Sequence, residues 1–299
     1  MSTELPPTID PVAAQRWSSL TAPSSPWLHE EVARRMEQRL QWIRLQPETW
    51  IHWEPLRGGV QAHGLLQKRY PRATALVIEP TAVRTRAAIK ALSLPWWRPA
   101  RWRAGPTRFE LDPAANAQML WANMALHMAA DPQGLMAQWH RALAVDGFIM
   151  FSCFGPDTLV GLRQLYSTLG WPAASHEFTD MHDWGDMLVK AGFAEPVMDM
   201  ERIRLSFESP QRLLQEMRGL GRNLNPQRHA GLRGKNWLAA LHQALVDQLK
   251  GPEGDLVLEF EIIYGHAFKP APRLKIAAES TVSLEQMRSA LQQSKSEGR

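Results

Sequence analysis

The stretch that decides the fold of this chain covers residues 48–59 and reads Glu48-Thr49-Trp50-Ile51-His52-Trp53-Glu54-Pro55-Leu56-Arg57-Gly58-Gly59. Residues 50–53 read as a short strand, and a helical pattern follows from residue 60. A strand that leads through a glycine-containing turn into a helix is the arrangement of a nucleotide-type cofactor loop. The residues between strand and helix are not the usual glycines. In their place stand Glu54, Pro55, Leu56 and Arg57.

Strand and helix patterns alternate along the chain beyond this stretch. Buried strands are predicted at residues 50–53, 74–78, 117–121 and 148–154, with a weak strand near 101–103. Helices are predicted at residues 27–45, 60–70, 81–92, 132–143 and 157–169. Such alternation favours an α/β fold with a doubly wound, mostly parallel sheet. Ligands of such sheets bind beyond the carboxyl ends of the strands, where the strand order reverses.

The remaining patterns suggest how the chain is divided. A helix at 180–191, a strand at 195–207, a helical segment at 210–249 and a final strand at 256–268 are predicted. Residues 1–26 are rich in Pro and Ser, so we expect a loose N-terminal arm. Residues 27–272 are predicted to form one domain, with a helical lid inserted at about 208–250. Residues 273–299 are predicted to be a polar C-terminal tail.

The composition narrows the class of protein. The chain has 299 residues, is 44% hydrophobic, and carries 34 basic against 30 acidic residues, a net charge of +4. This charge is too mild to indicate nucleic acid as a partner but suits an acidic partner. The one cysteine, Cys153, excludes an intrachain disulfide framework and a Cys-rich zinc site. No secretory signal or apolar run of ~18 residues is visible, so we expect a cytoplasmic protein without a membrane partner.

Five segments outside the loop carry a resemblance to a known family. They are Glu31-Val32-Ala33-Arg34-Arg35-Met36 with Ile43-Arg44-Leu45-Gln46-Pro47, Phe151-Ser152-Cys153-Phe154-Gly155-Pro156-Asp157-Thr158-Leu159, Met181-His182-Asp183-Trp184-Gly185-Asp186-Met187-Leu188, Ala191-Gly192-Phe193-Ala194-Glu195-Pro196-Val197-Met198-Asp199-Met200-Glu201, and Tyr264-Gly265-His266-Ala267-Phe268-Lys269-Pro270. Together these segments, spread over residues 9–272, resemble the BioC-type malonyl-[acyl-carrier-protein] O-methyltransferases. The resemblance implies a class I methyltransferase fold: a Rossmann-like, seven-stranded sheet with its last strand antiparallel and a helical insertion between the last two strands. It also implies S-adenosylmethionine as cofactor, and methylation of the free carboxyl of malonyl-acyl carrier protein in biotin synthesis.

The resemblance also assigns the cofactor-binding candidates. The family places an acidic residue at the end of the first strand, where this chain has His52, and a Gly-x-Gly-x-Gly turn after it. Glu54 and Leu56 stand at glycine positions of that turn, and Gly58 and Gly59 remain.

Two further candidates follow later strands. Glu79 comes after the second predicted strand, about 20 residues past the turn, where an acidic residue binds ribose hydroxyls. Asn123, just after the strand at 117–121, completes the cofactor-binding set. Trp102 and Arg103 lie where the family usually offers a carboxylate to the adenine.

Two functions therefore stay open. The first is an S-adenosylmethionine-dependent O-methyltransferase of the BioC type. The second is a catalytically silent homologue that acts as a binding or assembly protein, because side chains at Glu54 and Leu56 fill the volume of a cofactor and disfavour a positive φ.

The His/Asp cluster at residues 176–186 and the single cysteine each have competing interpretations. His176, Asp180, His182, Asp183 and Asp186 suit a divalent metal, but Asp180 and Asp183 fit a helix N-terminus better, and no metal is expected. Cys153 is interpreted as an inert core thiol rather than a nucleophile.

Two basic runs are interpreted first as solvated faces. They are Arg84, Arg86, Lys90, Arg98, Arg101 and Arg103, and Arg212, Arg218, Arg222, Arg228, Arg233 and Lys235. An acidic acyl carrier protein would be attracted to the second run, on the predicted lid, and Arg218 and Arg222 are the hypothesised contacts. No catalytic residue is assigned.

Overall fold

The computed structural model describes residues 9–21, 24–93, 105–110 and 116–272. Within these ranges seven strands form one sheet. They are β1 (Thr49–Trp53), β2 (Thr74–Ile78), β3 (Thr107–Glu110), β4 (Ala117–Ala122), β5 (Leu143–Phe154), β6 (Ala194–Phe207) and β7 (Leu256–Phe268). The helices are α1 (Pro11–Ser19), α2 (Trp27–Arg39), the single turn α3 (Pro55–Gly58), α4 (Val60–Arg69), α5 (Ala82–Leu92), α6 (Pro132–Ala142), α7 (Val160–Thr168), α8 (Met181–Lys190), α9 (Pro210–Leu220) and α10 (Lys235–Gln248).

The strand order across the sheet is β3-β2-β1-β4-β5-β7-β6. Strands β3, β2, β1, β4 and β5 pair in parallel, whereas β7 is antiparallel to both β5 and β6. The predicted class I methyltransferase fold, with seven strands and the last antiparallel, is confirmed. The strand order reverses between β1 and β4, so the carboxyl ends of these two strands mark the expected ligand site. The weak strand predicted near 101–103, with Trp102 and Arg103, lies outside the described residues.

Both faces of the sheet are buried at its central strands β1, β2 and β4. Trp50 and Trp121 lie on the face that packs against α2, and they are fully buried. Their neighbours Ile51 and Leu120 lie on the opposite face with Trp139 of α6. Successive side chains of a strand point to opposite faces, so a strand covered on both sides needs a continuous apolar run. This explains why Trp50, Ile51 and Trp53 are all large and apolar, with only His52 as a buried polar residue among them.

Helix α1 differs from the loose arm expected over residues 1–26. The Asp10 side chain caps it by accepting hydrogen bonds from Val12 N and Ala13 N, and Pro11 occupies its first turn. Asp10 also forms an ion pair with Arg228 at 2.8 Å, and its N–H donates to the Leu224 carbonyl at 2.8 Å. These contacts hold α1 against the segment that follows α9.

The predicted helical segment at 210–249 consists of two helices, α9 and α10, with residues 221–234 between them. This segment is inserted between β6 and β7, as expected. The Ser209 side chain caps α9, and Asn223 and Asn225 bind the carbonyls of Ala173 and Ser175 at 2.7 and 3.1 Å. The connection is therefore fixed by side-chain amides instead of continuing the helix.

Among the helices in the described ranges, none has the length and apolar character that crossing a membrane would require.

Candidate functional site

The loop after β1 is a single helical turn. Glu54 has a left-handed backbone with φ 49°, and its N–H donates to the Ile78 carbonyl of β2 at 2.8 Å. The chain then forms α3 and passes through Gly59, where φ is 126°. A left-handed non-glycine residue costs on the order of 1 kcal/mol. A helical turn of side-chain-bearing residues therefore stands where the sequence pattern placed a glycine-rich cofactor loop.

Glu79, the predicted ribose ligand, follows β2 and is already engaged by protein groups. Its Oε1 accepts a hydrogen bond from the Leu56 N–H at 3.0 Å. Its Oε2 lies 2.6 Å from Arg84 Nη2, and neither side chain has exposed surface. That contact is a close pairing of charges and not an aligned hydrogen bond, since neither atom has a hydrogen-bond partner. Burial raises the pKa of Glu79 to about 7, against the opposing effect of the Arg84 charge.

Arg84 was expected on a solvated basic face, and this expectation is wrong. Its side chain is fully buried, whereas Arg86 on the same helix is exposed. Besides Glu79, Arg84 Nη1 lies 3.0 Å from Glu54 Oε2 and donates to the Ser18 carbonyl of α1 at 2.9 Å. One guanidinium thus connects the loop after β1, the end of β2 and the C-terminal end of α1. The orientation follows from two carboxylates that converge inside the fold and need a cation.

Arg57 adds a second connection to α1. Its guanidinium lies 3.8 Å from the centre of the Trp17 ring and donates to the carbonyls of Trp17 and Leu20. Burial, with a further contribution from Arg84, lowers the pKa of Arg57 to about 10, so it stays charged at neutral pH. The carbonyls at the end of a helix have no partners inside it and carry a partial negative charge. Two cations at this end therefore hold α1 across the loop.

His52 lies at the predicted position in β1, but its side chain contacts a helix. Its Nδ1 lies 3.2 Å from Nδ1 of His63 in α4, and the two rings are stacked with an interplanar angle of 3°. His63 in turn contacts Thr107 of β3 at 3.1 Å through Nε2. Burial lowers the pKa of both histidines, to about 4 for His63. A neutral pair can share one N–H between the two Nδ1 atoms.

Asn123, at the end of β4, is a structural connector. Its Nδ2 donates to the His29 carbonyl at 2.8 Å and to the Gly58 carbonyl, and its Oδ1 accepts from Ser152 Oγ at 2.6 Å. A Cβ at Gly58 would meet the Asn123 carbonyl oxygen at 2.6 Å, so the close approach of these two backbones requires glycine. The Gly58 backbone therefore packs directly against Asn123, the residue that follows β4.

A cavity of about 310 Å³ lies at the carboxyl ends of β1 and β4, where the strand order reverses. Its walls include Trp17 of α1, His29 of α2, and Glu54, Arg57 and Asn123. Glu54, Gly58 and Asn123 are thus the predicted residues that the structure brings to one cavity, whereas His52, Gly59 and Glu79 are not in its walls. Burial lowers the pKa of His29 to about 4, so this wall is neutral at His29 and charged at Arg57.

A second cavity of about 240 Å³ adjoins the first and shares Met128 and Leu220 with it. Phe154 and Phe178 give it an apolar wall, and Arg218 and Arg222 of the insertion also line it. The sequence pattern placed these two arginines on the lid but gave no indication of a cavity beside them.

The metal interpretation of residues 176–186 has a structural alternative. Asp180 caps α8 by accepting from the His182 N–H at 2.8 Å, as predicted. His176 is buried and its Nε2 contacts the His127 carbonyl at 3.1 Å, while the His182 side chain is 81% exposed. In the part of the chain that the structure describes, no three His, Cys, Asp or Glu residues are grouped to hold a metal ion.

The nucleoside of S-adenosylmethionine, the cofactor that the resemblance implies, does not fit the residues as they stand. Both oxygens of Glu79 face protein groups, Arg84 fills the space beside them, and the Gly58 backbone packs on Asn123. A ribose could reach Glu79 only if the guanidinium moved. Glu79 does follow β2, as the spacing predicted, whereas its role toward a ribose stays a prediction.

Comparison with known proteins relates the whole domain to one group. No protein-family model matches the chain. In structure, it is similar to a candidate methyltransferase from Bacillus halodurans (TM-score 0.54, 12% identity, 81% of this chain and 100% of that one) and to the YcgJ protein from Bacillus subtilis (TM-score 0.53, 10% identity, 81% and 99%). In sequence, it is 37% identical to the malonyl-[acyl-carrier protein] O-methyltransferase of Gallionella capsiferriformans over 83% of this chain and 86% of the relative. The relative from Laribacter hongkongensis is also 37% identical, over 82% and 84%. The chain therefore belongs to the malonyl-[acyl-carrier protein] O-methyltransferase family.

Proposed function

We propose that this chain acts as a malonyl-[acyl-carrier protein] O-methyltransferase of biotin synthesis, which methylates the free carboxyl of the carrier-bound malonyl group. The observation that carries this proposal is the 37% identity with the Gallionella relative, which extends over 83% of the chain. A relationship of this length and identity shows the family. S-adenosylmethionine is the methyl donor that the family implies.

The second cavity offers features that suit the acceptor. A malonyl thioester presents a carboxylate at the end of an uncharged chain. The cavity combines an apolar wall at Phe154 and Phe178 with two guanidinium groups, Arg218 and Arg222. Arginine binds carboxylates through two parallel hydrogen bonds and stays charged at any physiological pH. We therefore assign these two arginines to the malonyl carboxylate or to the acidic surface of the carrier protein.

Methyl transfer to a carboxylate needs little acid–base catalysis from the residues of this cavity. A carboxylate acceptor is already anionic, so the protein has to orient it and exclude water. The two histidines of the cavity, His127 and His176, are suited to a neutral role because burial lowers the pKa of each below its usual value. The positive charge next to the acceptor then comes from Arg218 and Arg222.

The test is methyl transfer to purified malonyl-acyl carrier protein, followed by the mass of the carrier. We expect one added methyl group with the wild-type chain and a loss of at least ~10-fold in kcat/KM with Arg222→Ala, which corresponds to about 1.4 kcal/mol of lost stabilisation. Arg141→Ala, at an exposed position of α6 outside both cavities, is the matched control. Unmodified carrier with the folded wild-type chain would contradict methyl transfer. Restored growth without biotin, in a strain that lacks its own methyltransferase, is the cellular counterpart.

The contribution of the two insertion arginines to carrier binding is tested in a separate binding measurement. Reversal of Arg218 and Arg222 to Glu is expected to weaken carrier binding and to flatten its dependence on salt, because complementary charges act mainly on the association rate. Unchanged affinity and unchanged salt dependence would show that these two residues do not contact the carrier.

The other function left open by the sequence is a catalytically silent homologue that acts as a binding or assembly protein, and the relatives at 37% identity favour the methyltransferase over it. One experiment distinguishes the two functions. The silent homologue should yield no methylated malonyl-acyl carrier protein at any concentration of S-adenosylmethionine, even where the carrier binds.

A further inference from the structure

The side chain of Glu79, at the end of β2, has no solvent-exposed surface. An ionised carboxylate offers about four lone-pair positions for hydrogen bonds, and ribose hydroxyls need at least two of them. The Leu56 N–H and the Arg84 guanidinium cover Glu79 from two sides, and its side chain is fully buried. A nucleoside that approaches this residue has to replace an existing ion pair instead of filling an open space.

Arg84 is held by more than Glu79. The same guanidinium contacts the Glu54 carboxylate at 3.0 Å and the Ser18 carbonyl at 2.9 Å. It lies in the first turn of α5, where a cation is unfavourable to the helix dipole, so the carboxylates determine its position. The next arginine of this helix, Arg86, is exposed, which shows that α5 does not bury arginine in general.

Helix α1 covers the same place from outside. Trp17 stacks on Arg57, and the Ser18 carbonyl accepts from Arg84. The helix is held at its other end by the Asp10–Arg228 ion pair. Withdrawal of the guanidinium therefore requires the loss of a contact to α1 as well as two ion pairs.

From these contacts we propose that Arg84 is an internal occupant of the nucleoside position, which competes with the ribose of the cofactor for the Glu79 carboxylate. The charge that would recognise two hydroxyls is paired with a guanidinium of the chain itself, and the Leu56 N–H takes up the other carboxylate oxygen. The affinity of the protein for an adenosyl ligand is set by the cost of removing that guanidinium. This inference rests on the nucleoside cofactor of the proposed function, but it concerns binding alone.

The experiment is a calorimetric titration of the full chain with S-adenosylhomocysteine, without acceptor. We expect Arg84→Ala to bind this probe at least ~10-fold more tightly than the wild type. The double variant Arg84→Ala/Glu79→Gln is expected to lose that gain, because the uncharged amide is a weaker acceptor for ribose hydroxyls. Arg86→Ala, two positions along the same helix and exposed, is the matched control and should bind like the wild type.

The outcomes separate clearly. Equal affinity of the wild type and a folded Arg84→Ala variant would overturn the proposal, as would a wild type whose tight binding disappears with Glu79→Gln alone. If Arg84→Ala shows no cooperative unfolding transition, Arg84→Lys is used in its place. A single ammonium cannot reach Ser18, Glu54 and Glu79 together, so this variant should still bind more tightly than the wild type, and equal affinity would again overturn the proposal. Failure of methyl transfer, measured separately with malonyl-acyl carrier protein, would leave the affinity ratio untouched.

Discussion

Acidification from pH 7 to pH 5 is expected to destabilise this protein, because several buried histidines remain neutral in the folded state. Among the described residues, they are His29, His52, His63, His127 and His176. Burial is the first cause of the lowered pKa at each of them. The folded chain therefore takes up fewer protons than the unfolded chain below pH 6.5. Stability that is fully present above this value is lost as the pH falls towards the folded-state pKa.

The magnitude follows from the two histidines whose folded pKa is about 4. Between an unfolded value of about 6.5 and this folded value, His29 and His63 each remove about 2 kcal/mol from the free energy of unfolding at pH 5. Glu79 acts in the opposite direction. Its pKa is raised to about 7, so protonation of the folded state between pH 7 and 5 returns about 2 kcal/mol. The net loss from these three groups is about 2 kcal/mol, and the other buried histidines add to it.

Urea unfolding at pH 7, 6 and 5, followed by the fluorescence of the 13 tryptophans, measures this loss. His29→Asn is the informative variant, because an amide can keep the hydrogen bond to the Arg57 carbonyl while the titrating group is gone. Its free energy of unfolding should fall by about 2 kcal/mol less than that of the wild type over this range. His229→Asn, at an exposed position, is the control. A wild type with equal stability at pH 7 and 5 would refute the reasoning.

Three further outcomes test the packing around the site. Asp180→Ala should cost about 1 kcal/mol of stability in urea unfolding, because the cap on the His182 N–H is lost. Cys153 should not react with a water-soluble thiol reagent until the protein unfolds, since burial raises the pKa of its thiol; labelling of the native protein would contradict this. Gly265→Ala should destabilise by about 1–3 kcal/mol or prevent folding, because a Cβ there would overlap the Phe151 ring; an unchanged melting temperature would contradict it.

Much of the fold could be predicted from the sequence because local patterns determine it. The apolar runs at 50–53 and 74–78 become β1 and β2, since only a sheet covered on both faces buries such runs completely. The alternation with helices then requires parallel pairing. The Pro-rich composition of residues 1–26 does not predict helix α1, although Asp10 followed by Pro11 is a local signal for a cap and a first turn.

For the site, the sequence predicts where the candidate residues lie along the strands but not which side chains contact them. Glu79 lies at the end of β2 as expected, yet its partner Arg84 was interpreted as a residue on a solvated face. Spacing along α5 does not show which side of the helix faces the sheet when α1 and the loop after β1 decide what covers it. A usable signal did exist, because Glu54 and Glu79 follow neighbouring parallel strands, and two carboxylates brought together inside a fold need a cation.

The two sides of the site differ in how they relate to the family. On the side that we propose for the acceptor, Arg218 and Arg222 line an apolar cavity with Phe154 and Phe178. On the donor side, Arg84 already holds the carboxylate that a nucleoside would need. If both proposals hold, we expect the carrier to bind without the cofactor, and methyl transfer to need the withdrawal of Arg84 from Glu79. Measured affinities for the carrier and for S-adenosylhomocysteine should consequently respond to different variants: the first to changes at Arg222, the second to changes at Arg84.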